Sequence, residues 1–263
     1  MNILFIGDIF GRPGRNAVKK LLRKYREEHG IHLVIANGEN MHHGKGVSEE
    51  NISDMRQAGV DFFTSGNHVW KDKSFVALMD NKKTPLIRPA NYPGGVPGRG
   101  WQIIEGSLKQ RVLVINLMGR VFMPQDLDCP FRTADRILKE TAGEYLNAII
   151  VDFHAEATSE KMALAHYLDG RVSAVLGTHT HVATADARIF SEGTAYQTDV
   201  GFTGPIDSVI GAEKTAIIEH FLTQLPMKIE VAEGPAVFNA TKVEIDDKSR
   251  RATEILPIIQ YLD

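Results

Sequence analysis

The sequence has a single cysteine, Cys129, in 263 residues. One thiol excludes an internal disulfide and is typical of proteins that fold in the reducing cytoplasm. No apolar run approaches the roughly 18 residues that a membrane-spanning helix needs. The chain opens with MNILFIGDIF, which has no basic segment and includes Asp8, so we expect no signal peptide. These features predict a cytoplasmic protein with no membrane-spanning segment.

A strong excess of charge of either sign is also missing. The 30 lysine and arginine residues nearly balance the 33 aspartate and glutamate residues, and the net charge is -3. Broad binding to nucleic acid or to an anionic membrane is therefore not expected, and the charge does not support RNA as a partner. The proportions of hydrophobic residues (43%) and charged residues (24%) are those of a globular protein. We find no linker or repeat, and we predict one domain over residues 1–263.

Short apolar segments alternate with segments of helical spacing along most of the chain. This alternation predicts an α/β fold with a mainly parallel sheet. Strands are predicted over 1–6, 33–36, 61–64, 112–116, 148–152 and 173–177. Helices are predicted over 15–29, 132–145, 159–168 and 213–225, and a further helix is predicted to begin after a cap at Ser48. Pro13 and Gly14 are predicted to break the chain before the first helix. Residues 84–111 are predicted to form a long loop that contains a strand at 101–105. Residues 236–245 and 252–259 are predicted to pair as a hairpin.

Polar residues of metal-ligand type follow five of the predicted strands. They are Asp8, Glu39 with Asn40, Asn67 with His68, His154, and His179 with His181. Because ligands bind at the carboxyl ends of parallel strands, we expect these residues to meet at one edge of the sheet. Each residue taken singly has a plainer interpretation as a turn, core or surface residue. The five segments together provide enough donors for two metal ions.

Glu39 is our candidate for a carboxylate that bridges two ions through its two oxygens. Two metals about 3.5–4 Å apart activate a water molecule and hold a transferring phosphoryl group. Carboxylate, amide and imidazole donors without thiolate suit manganese, iron or zinc better than copper. The donor set therefore predicts a dinuclear hydrolytic site.

Several motifs resemble those of the calcineurin-like metallophosphoesterases, in their usual order. They are Gly7-Asp8, Gly38-Glu39-Asn40, Gly66-Asn67-His68, His154 and Gly177-Thr178-His179-Thr180-His181. The sequence departs from the common pattern at Phe10, where a histidine is usual, and at Glu39, where an aspartate is usual. Both departures are similar to one subgroup, the YmdB-like bacterial phosphodiesterases. Residues 127–131, 151–161, 177–186 and 198–211 also resemble this subgroup.

The resemblance implies a four-layer αββα sandwich with two divalent metal ions, iron in the first place and manganese or zinc as alternatives. It implies that one ion is surrounded by Asp8, Glu39, Asn40 and His181, with Asn40 replacing the histidine that is missing at position 10. It implies that Glu39 bridges to a second ion, which is held by Asn67, His154 and His179.

The implied activity is hydrolysis of 2′,3′- or 3′,5′-cyclic nucleotides, with a metal-bridging hydroxide as nucleophile and His68 as proton donor. One alternative is a phosphomonoesterase with the same metals, and another is a nucleotide- or RNA-binding regulator with slow turnover. We expect a homo-oligomer. Asp199 either supports a ligand histidine or is a turn residue, and His42 and His43 either approach a substrate phosphate or are exposed loop residues.

Overall fold

The computed structural model describes all residues from 1 to 263. The strands are β1 (Asn2–Ile6), β2 (Asp8–Ile9), β3 (Leu33–Asn37), β4 (Phe62–Thr64), β5 (Trp101–Glu105), β6 (Arg111–Met118), β7 (Ala148–His154), β8 (Ala174–Thr178), β9 (Arg188–Ile189), β10 (Ala195–Gln197), β11 (Phe202–Pro205), β12 (Ala236–Ile245) and β13 (Ala252–Leu262). The helices are α1 (Gly11–Glu28), α2 (Glu49–Ala58), α3 (Lys73–Val76), α4 (Pro130–Glu140), α5 (Thr158–Leu168) and α6 (Lys214–Thr223). None of the helices has the length and hydrophobicity required to cross a bilayer.

The strands form two mixed sheets. The first has the order β2-β11-β12-β1-β3-β4, with β13 paired to β12, and β1, β3 and β4 are parallel to one another. The second has the order β5-β6-β7-β8-β10-β9, in which the four central strands are parallel. The strand-and-helix alternation predicted a mainly parallel sheet, but the parallel strands are divided between two sheets that also contain antiparallel pairs.

The core consists of three layers of apolar side chains. In β1, Ile3 and Phe5 pack between the two sheets, together with side chains from β6, β7 and β8. Leu4 and Ile6 point the other way, toward α1 and α2, because successive side chains of a strand face opposite sides. A third cluster packs the outer face of the second sheet against α4 and α5. The order helix, sheet, sheet, helix confirms the four-layer αββα sandwich.

Most predicted elements are present, but two helix boundaries were wrong. Helix α1 begins at Gly11 and includes Pro13 in its first turn, where a missing backbone N–H breaks no hydrogen bond. Helix α4 ends at Glu140 and not at Tyr145, with Thr141 as its C-cap, because Gly143 disfavours continuation of the helix. The Ser48 cap is confirmed by the 3.2 Å bond from the Asn51 amide to the Ser48 hydroxyl. The strand at 101–105 and the C-terminal hairpin are confirmed as well.

Candidate metal centre

The predicted site residues meet where strands of both sheets end. Asp8, Glu39 and Asn67 follow β1, β3 and β4 of the first sheet, whereas His154 and His179 come at the ends of β7 and β8 of the second. The expectation of a single sheet edge is therefore corrected. The residues converge as predicted, but on a site that spans the two sheets.

Three potential metal-binding atoms surround a fourth, the Nε2 atom of His154. Its Nε2 lies 3.0 Å from Asn67 Oδ1, 3.0 Å from His179 Nδ1 and 3.2 Å from Glu39 Oε1. The donor atoms of Glu39, His154 and His179 all lie within 4.8 Å of one another. Two imidazole nitrogens, a carboxylate oxygen and an amide oxygen form a donor set that suits zinc, iron or manganese.

A buried relay orients His154. The Thr178 hydroxyl donates to Asp152 Oδ1 at 2.7 Å, so its oxygen is left to accept the Nδ1–H of His154 at 2.9 Å. Asn37 also donates to Asp152, at 2.9 Å. Since Nδ1 is engaged in this way, Nε2 faces the other donors with its lone pair available to a cation. Sequence reasoning did not identify Asp152 or Thr178 as partners of the site.

Two further oxygens of the candidate ligands lack hydrogen-bond partners. Asp8 Oδ1 and Asn40 Oδ1 are buried and accept no hydrogen bond. The other groups of the same side chains are engaged, since Asp8 Oδ2 accepts the His179 amide at 3.2 Å and Asn40 Nδ2 donates to the Gly44 carbonyl at 2.8 Å. A buried, unpaired carboxylate oxygen is costly unless a cation meets it. The orphaned oxygens therefore fit a metal ion at this position.

The ring of His181 is oriented by a backbone carbonyl. Its Nδ1 donates to the Ile210 carbonyl at 2.8 Å, which leaves Nε2 as the nitrogen without a protein partner. The ring is stacked on Phe202 and meets the edge of Phe10, each with 5.5 Å between ring centroids. Phe10 therefore packs against His181.

A buried ion pair holds the segment between the two histidines. Asp199 Oδ2 accepts the Thr180 amide at 3.0 Å and the Thr180 hydroxyl at 2.9 Å. Lys161 Nζ reaches the same oxygen at 2.7 Å and the Thr178 carbonyl at 2.8 Å, and both ionic side chains are at most 1% exposed. Of the two interpretations of Asp199, the structure favours support of the ligand segment, although Asp199 contacts Thr180 and not an imidazole. Sequence reasoning missed Lys161.

Glu39 also contacts His68. The His68 amide donates to Glu39 Oε2 and the ring Nδ1 lies near Glu39 Oε1, each at 3.1 Å. The His68 side chain is 23% exposed, and its Nε2 has no hydrogen-bond partner in the chain. His68 therefore borders the cluster with one ring nitrogen free. The rings of His42 and His43 contact each other, with 4.5 Å between their centroids. This contact does not decide whether the two histidines approach a substrate phosphate.

The electrostatics of the cluster are those of a cation site. Burial raises the pKa of Asp8 well above its ordinary value and that of Asp152 to about 6. Burial acts against the charge of Glu39, but His154 and His68 lower its pKa well below the ordinary value. Burial lowers the pKa of His154, but the charges of Glu39 and Asp8 outweigh it and raise the pKa to about 9. In the metal-free protein a proton on His154 therefore offsets part of the negative charge, and a cation would displace it.

Gly66 is required by the close approach of these donors to the backbone. A Cβ atom at this position would overlap Glu39 Oε2 and the His154 ring. Only glycine leaves room for both side chains, which explains the glycine of this motif.

Comparison with known proteins finds relatives that match over nearly the whole chain. A family model described as "YmdB-like protein" matches residues 4–258. The chain is 47% identical to the 2′,3′-cyclic-nucleotide 2′-phosphodiesterase of Bacillus subtilis, over 98% of this chain and 97% of that protein. It is 37% identical to a "Putative phosphatase/phosphodiesterase" of Mycoplasma pneumoniae, over 99% of this chain and 94% of that protein.

A solved structure extends the likeness to three dimensions. A hypothetical protein from Thermus thermophilus superimposes with a TM-score of 0.92 at 46% identity, and the match covers all of both chains. Matches in sequence and structure thus extend over essentially the whole chain, and the chain belongs to the YmdB-like family.

Proposed function

We propose that this chain is a metal-dependent phosphodiesterase that hydrolyses cyclic nucleotides, 2′,3′-cyclic nucleotides first and 3′,5′-cyclic nucleotides as a second class. The observation that carries the proposal is the convergence of buried donors without protein partners, chiefly Asp8 Oδ1 and Asn40 Oδ1, beside the Glu39, His154 and His179 cluster. The Bacillus relative, whose described activity is 2′-phosphodiester hydrolysis, supports the substrate class.

Two divalent ions would share the site. Asp8, Glu39, Asn40 and His181 would hold one, and Glu39, Asn67, His154 and His179 the other. Support for the second set comes from Glu39 Oε1, which lies 3.2 Å from His154 Nε2, and support for the first from the buried, unpartnered Oδ1 atoms of Asp8 and Asn40. Nitrogen and oxygen donors without thiolate suit iron, manganese and zinc alike. We put iron first because the resemblance to the metallophosphoesterase subgroup implies it.

When bound, such ions withdraw charge from the phosphate and lower the pKa of the attacking water. The chain supplies the remaining functions. The Asp152–Thr178 relay fixes His154, and the Lys161–Asp199 pair fixes the segment of His179 and His181. His68 Nδ1 lies 3.1 Å from Glu39 Oε1, and a proton on Nε2 would face away from this contact. That proton is the one we assign to the leaving sugar oxygen.

We also propose that the enzyme is a cytoplasmic homo-oligomer. The single cysteine supports the compartment. The oligomer is supported by α6, which buries none of its residues and leaves Phe221 70% and Leu222 80% exposed. Analytical ultracentrifugation of the parent and of a Phe221→Ser/Leu222→Ser variant tests the oligomer, and a monomeric parent would exclude it.

The experiment for the activity combines metal analysis with a substrate panel. The purified protein is analysed for metal and assayed with 2′,3′-cAMP, 3′,5′-cAMP, bis(p-nitrophenyl) phosphate, p-nitrophenyl phosphate and a short RNA. We expect two metals per chain and faster hydrolysis of the diesters. Turnover of the monoester alone would make the protein a phosphomonoesterase. Less than one metal per chain, without rescue by manganese or iron, would overturn the proposal.

A further inference from the structure

The turn that follows β6 presents an aromatic ring to solvent in an unfavourable backbone conformation. Phe122 is 84% exposed, and its φ of 61° lies in the left-handed region. The Met123 amide donates to the Arg120 carbonyl at 3.4 Å, so Phe122 is the third residue of a four-residue turn. Glycine or asparagine is favoured where such a turn has a positive φ. The backbone conformation does not favour phenylalanine at position 122, and the side chain is not buried in the core.

A buried carboxylate holds this turn in place. Glu160, in the first turn of α5, is 9% exposed. Its two oxygens accept the Arg120 amide at 3.0 and 3.1 Å, and one of them also accepts the Val121 amide at 3.1 Å. A Cβ on Gly119 would lie 2.5 Å from the same carboxylate, so glycine at 119 permits the approach. The turn is therefore fixed by specific contacts.

The same turn borders the candidate metal centre. Met118, the last residue of β6, pairs with His154, and the Gly119 amide donates to the His154 carbonyl at 3.0 Å. Three Cα–Cα steps of about 3.8 Å keep the Cα of Phe122 within about 11 Å of that of Gly119. In a nucleotide, one ribose ring separates the base from a phosphate held at the metal centre. The connection from Gly119 is short enough to allow the Phe122 ring to reach such a base.

We propose that Phe122 is a stacking platform for the nucleobase of the substrate and that Glu160 positions it. The inference rests on the proposed function, in that the substrate is a nucleotide. Aromatic rings bind bases of any sequence through their faces, and a ring on a backbone that is already held in place has less freedom to lose when a base stacks on it. The platform lowers KM for substrates that carry a base and leaves the chemical step unchanged.

The test compares Phe122→Ala and Phe122→Trp with the parent on two substrates, 2′,3′-cAMP and base-free ribose 2′,3′-cyclic phosphate. Removal of one stacked base contact is expected to raise KM for 2′,3′-cAMP by roughly 5- to 100-fold. KM for the base-free substrate and both kcat values should stay at the parent level, and Phe122→Trp should retain parent KM. Tyr145→Ala is the matched control, because Tyr145 is 72% exposed and precedes β7 at the opposite end of the second sheet.

Three outcomes would overturn the platform. An equal loss on the base-free substrate would mean that Phe122 acts on the metal centre or the fold. An unchanged KM for 2′,3′-cAMP would remove the base contact. A change in molar mass by light scattering, with KM unchanged, would assign Phe122 to a subunit contact.

If the parent hydrolyses no diester, the proposed function fails but the platform remains testable. Calorimetric titration with 3′-AMP and with inorganic phosphate then takes the place of kinetics. Weaker binding of 3′-AMP to Phe122→Ala, with phosphate binding unchanged, would support the platform, and equal binding of 3′-AMP to both proteins would overturn it.

Discussion

Replacing Lys161 by methionine should destabilise the fold through the charge that it leaves behind. Methionine has a similar reach but no ammonium group, so Asp199 would stay buried without its 2.7 Å partner. Breaking a buried ion pair from one side typically costs about 3–5 kcal/mol. Asp199 would keep the bonds from Thr180 and from the Gly201 amide at 2.8 Å, so we place the loss at the lower end, about 3 kcal/mol.

This loss converts into a measurable shift of the melting temperature. With roughly 2.1 cal/mol/K of unfolding entropy per residue, a chain of 263 residues has about 0.55 kcal/mol/K. A loss of about 3 kcal/mol then lowers Tm by about 5 °C. The assay is thermal unfolding in the presence of a chelator, so that metal binding does not contribute. Lys214→Met is the control, because its 2.6 Å pair with Asp207 is exposed and such pairs contribute at most about 1 kcal/mol.

The double variant Lys161→Met/Asp199→Asn separates charge from packing. Without the carboxylate charge no unpaired ion remains, and we expect part of the lost stability to return. Metal affinity should fall about 10- to 100-fold in Lys161→Met, because the segment between His179 and His181 loses its support. Equal Tm values for Lys161→Met and Lys214→Met, with parent metal affinity, would refute this reasoning.

Three further predictions concern the site itself. Glu39→Ala should reduce bound metal from two ions per chain to none. Asn40→Ala should have a milder effect, because a neutral amide holds a dication less strongly than a carboxylate does. Elemental analysis measures the metal content, and a stoichiometry near two in Glu39→Ala would refute the bridge. His68→Asn should lose roughly 10²- to 10⁴-fold in kcat/KM toward a cyclic nucleotide but much less toward bis(p-nitrophenyl) phosphate, whose leaving group needs no proton. Equal losses at full metal occupancy would make His68 an electrostatic contact. Gly66→Ala should weaken metal binding about 10-fold or more in equilibrium dialysis, while Gly143→Ala, which has no neighbour within 4 Å of its Cβ, should match the parent.

The sequence predicts the candidate metal ligands better than it predicts the residues that hold those ligands in position. Asp8, Glu39 and His154 stand out because each follows a short apolar strand, and strand ends of one direction meet. Lys161 carries no such mark, since a lysine on a helix is usually solvated, and only the packing of α5 against β8 makes it a buried partner of Asp199.

The division of the strands between two sheets could not be predicted from the hydrophobic pattern of each strand. Strands that are buried on both faces read as continuous apolar runs whichever sheet they join. The assignment of β1 and β7 to different sheets depends on pairing between residues far apart in the chain, such as Ile3 with Val243. The short strands β9, β10 and β11 have two to four residues each, which is too few for a period to be recognised.

Because the candidate ligands come from both sheets, bound metal would act as a cross-link in the folded protein. Free metal at about 1,000 times its Kd adds about 4.1 kcal/mol to the free energy of unfolding. This energy is shared by the whole sandwich, since separating the sheets breaks the coordination. The chain has one tryptophan on each side, with Trp70 against the core of the first sheet and Trp101 in β5 of the second. In single-tryptophan variants, both fluorescence transitions should therefore move together and by the same amount when the metal is removed.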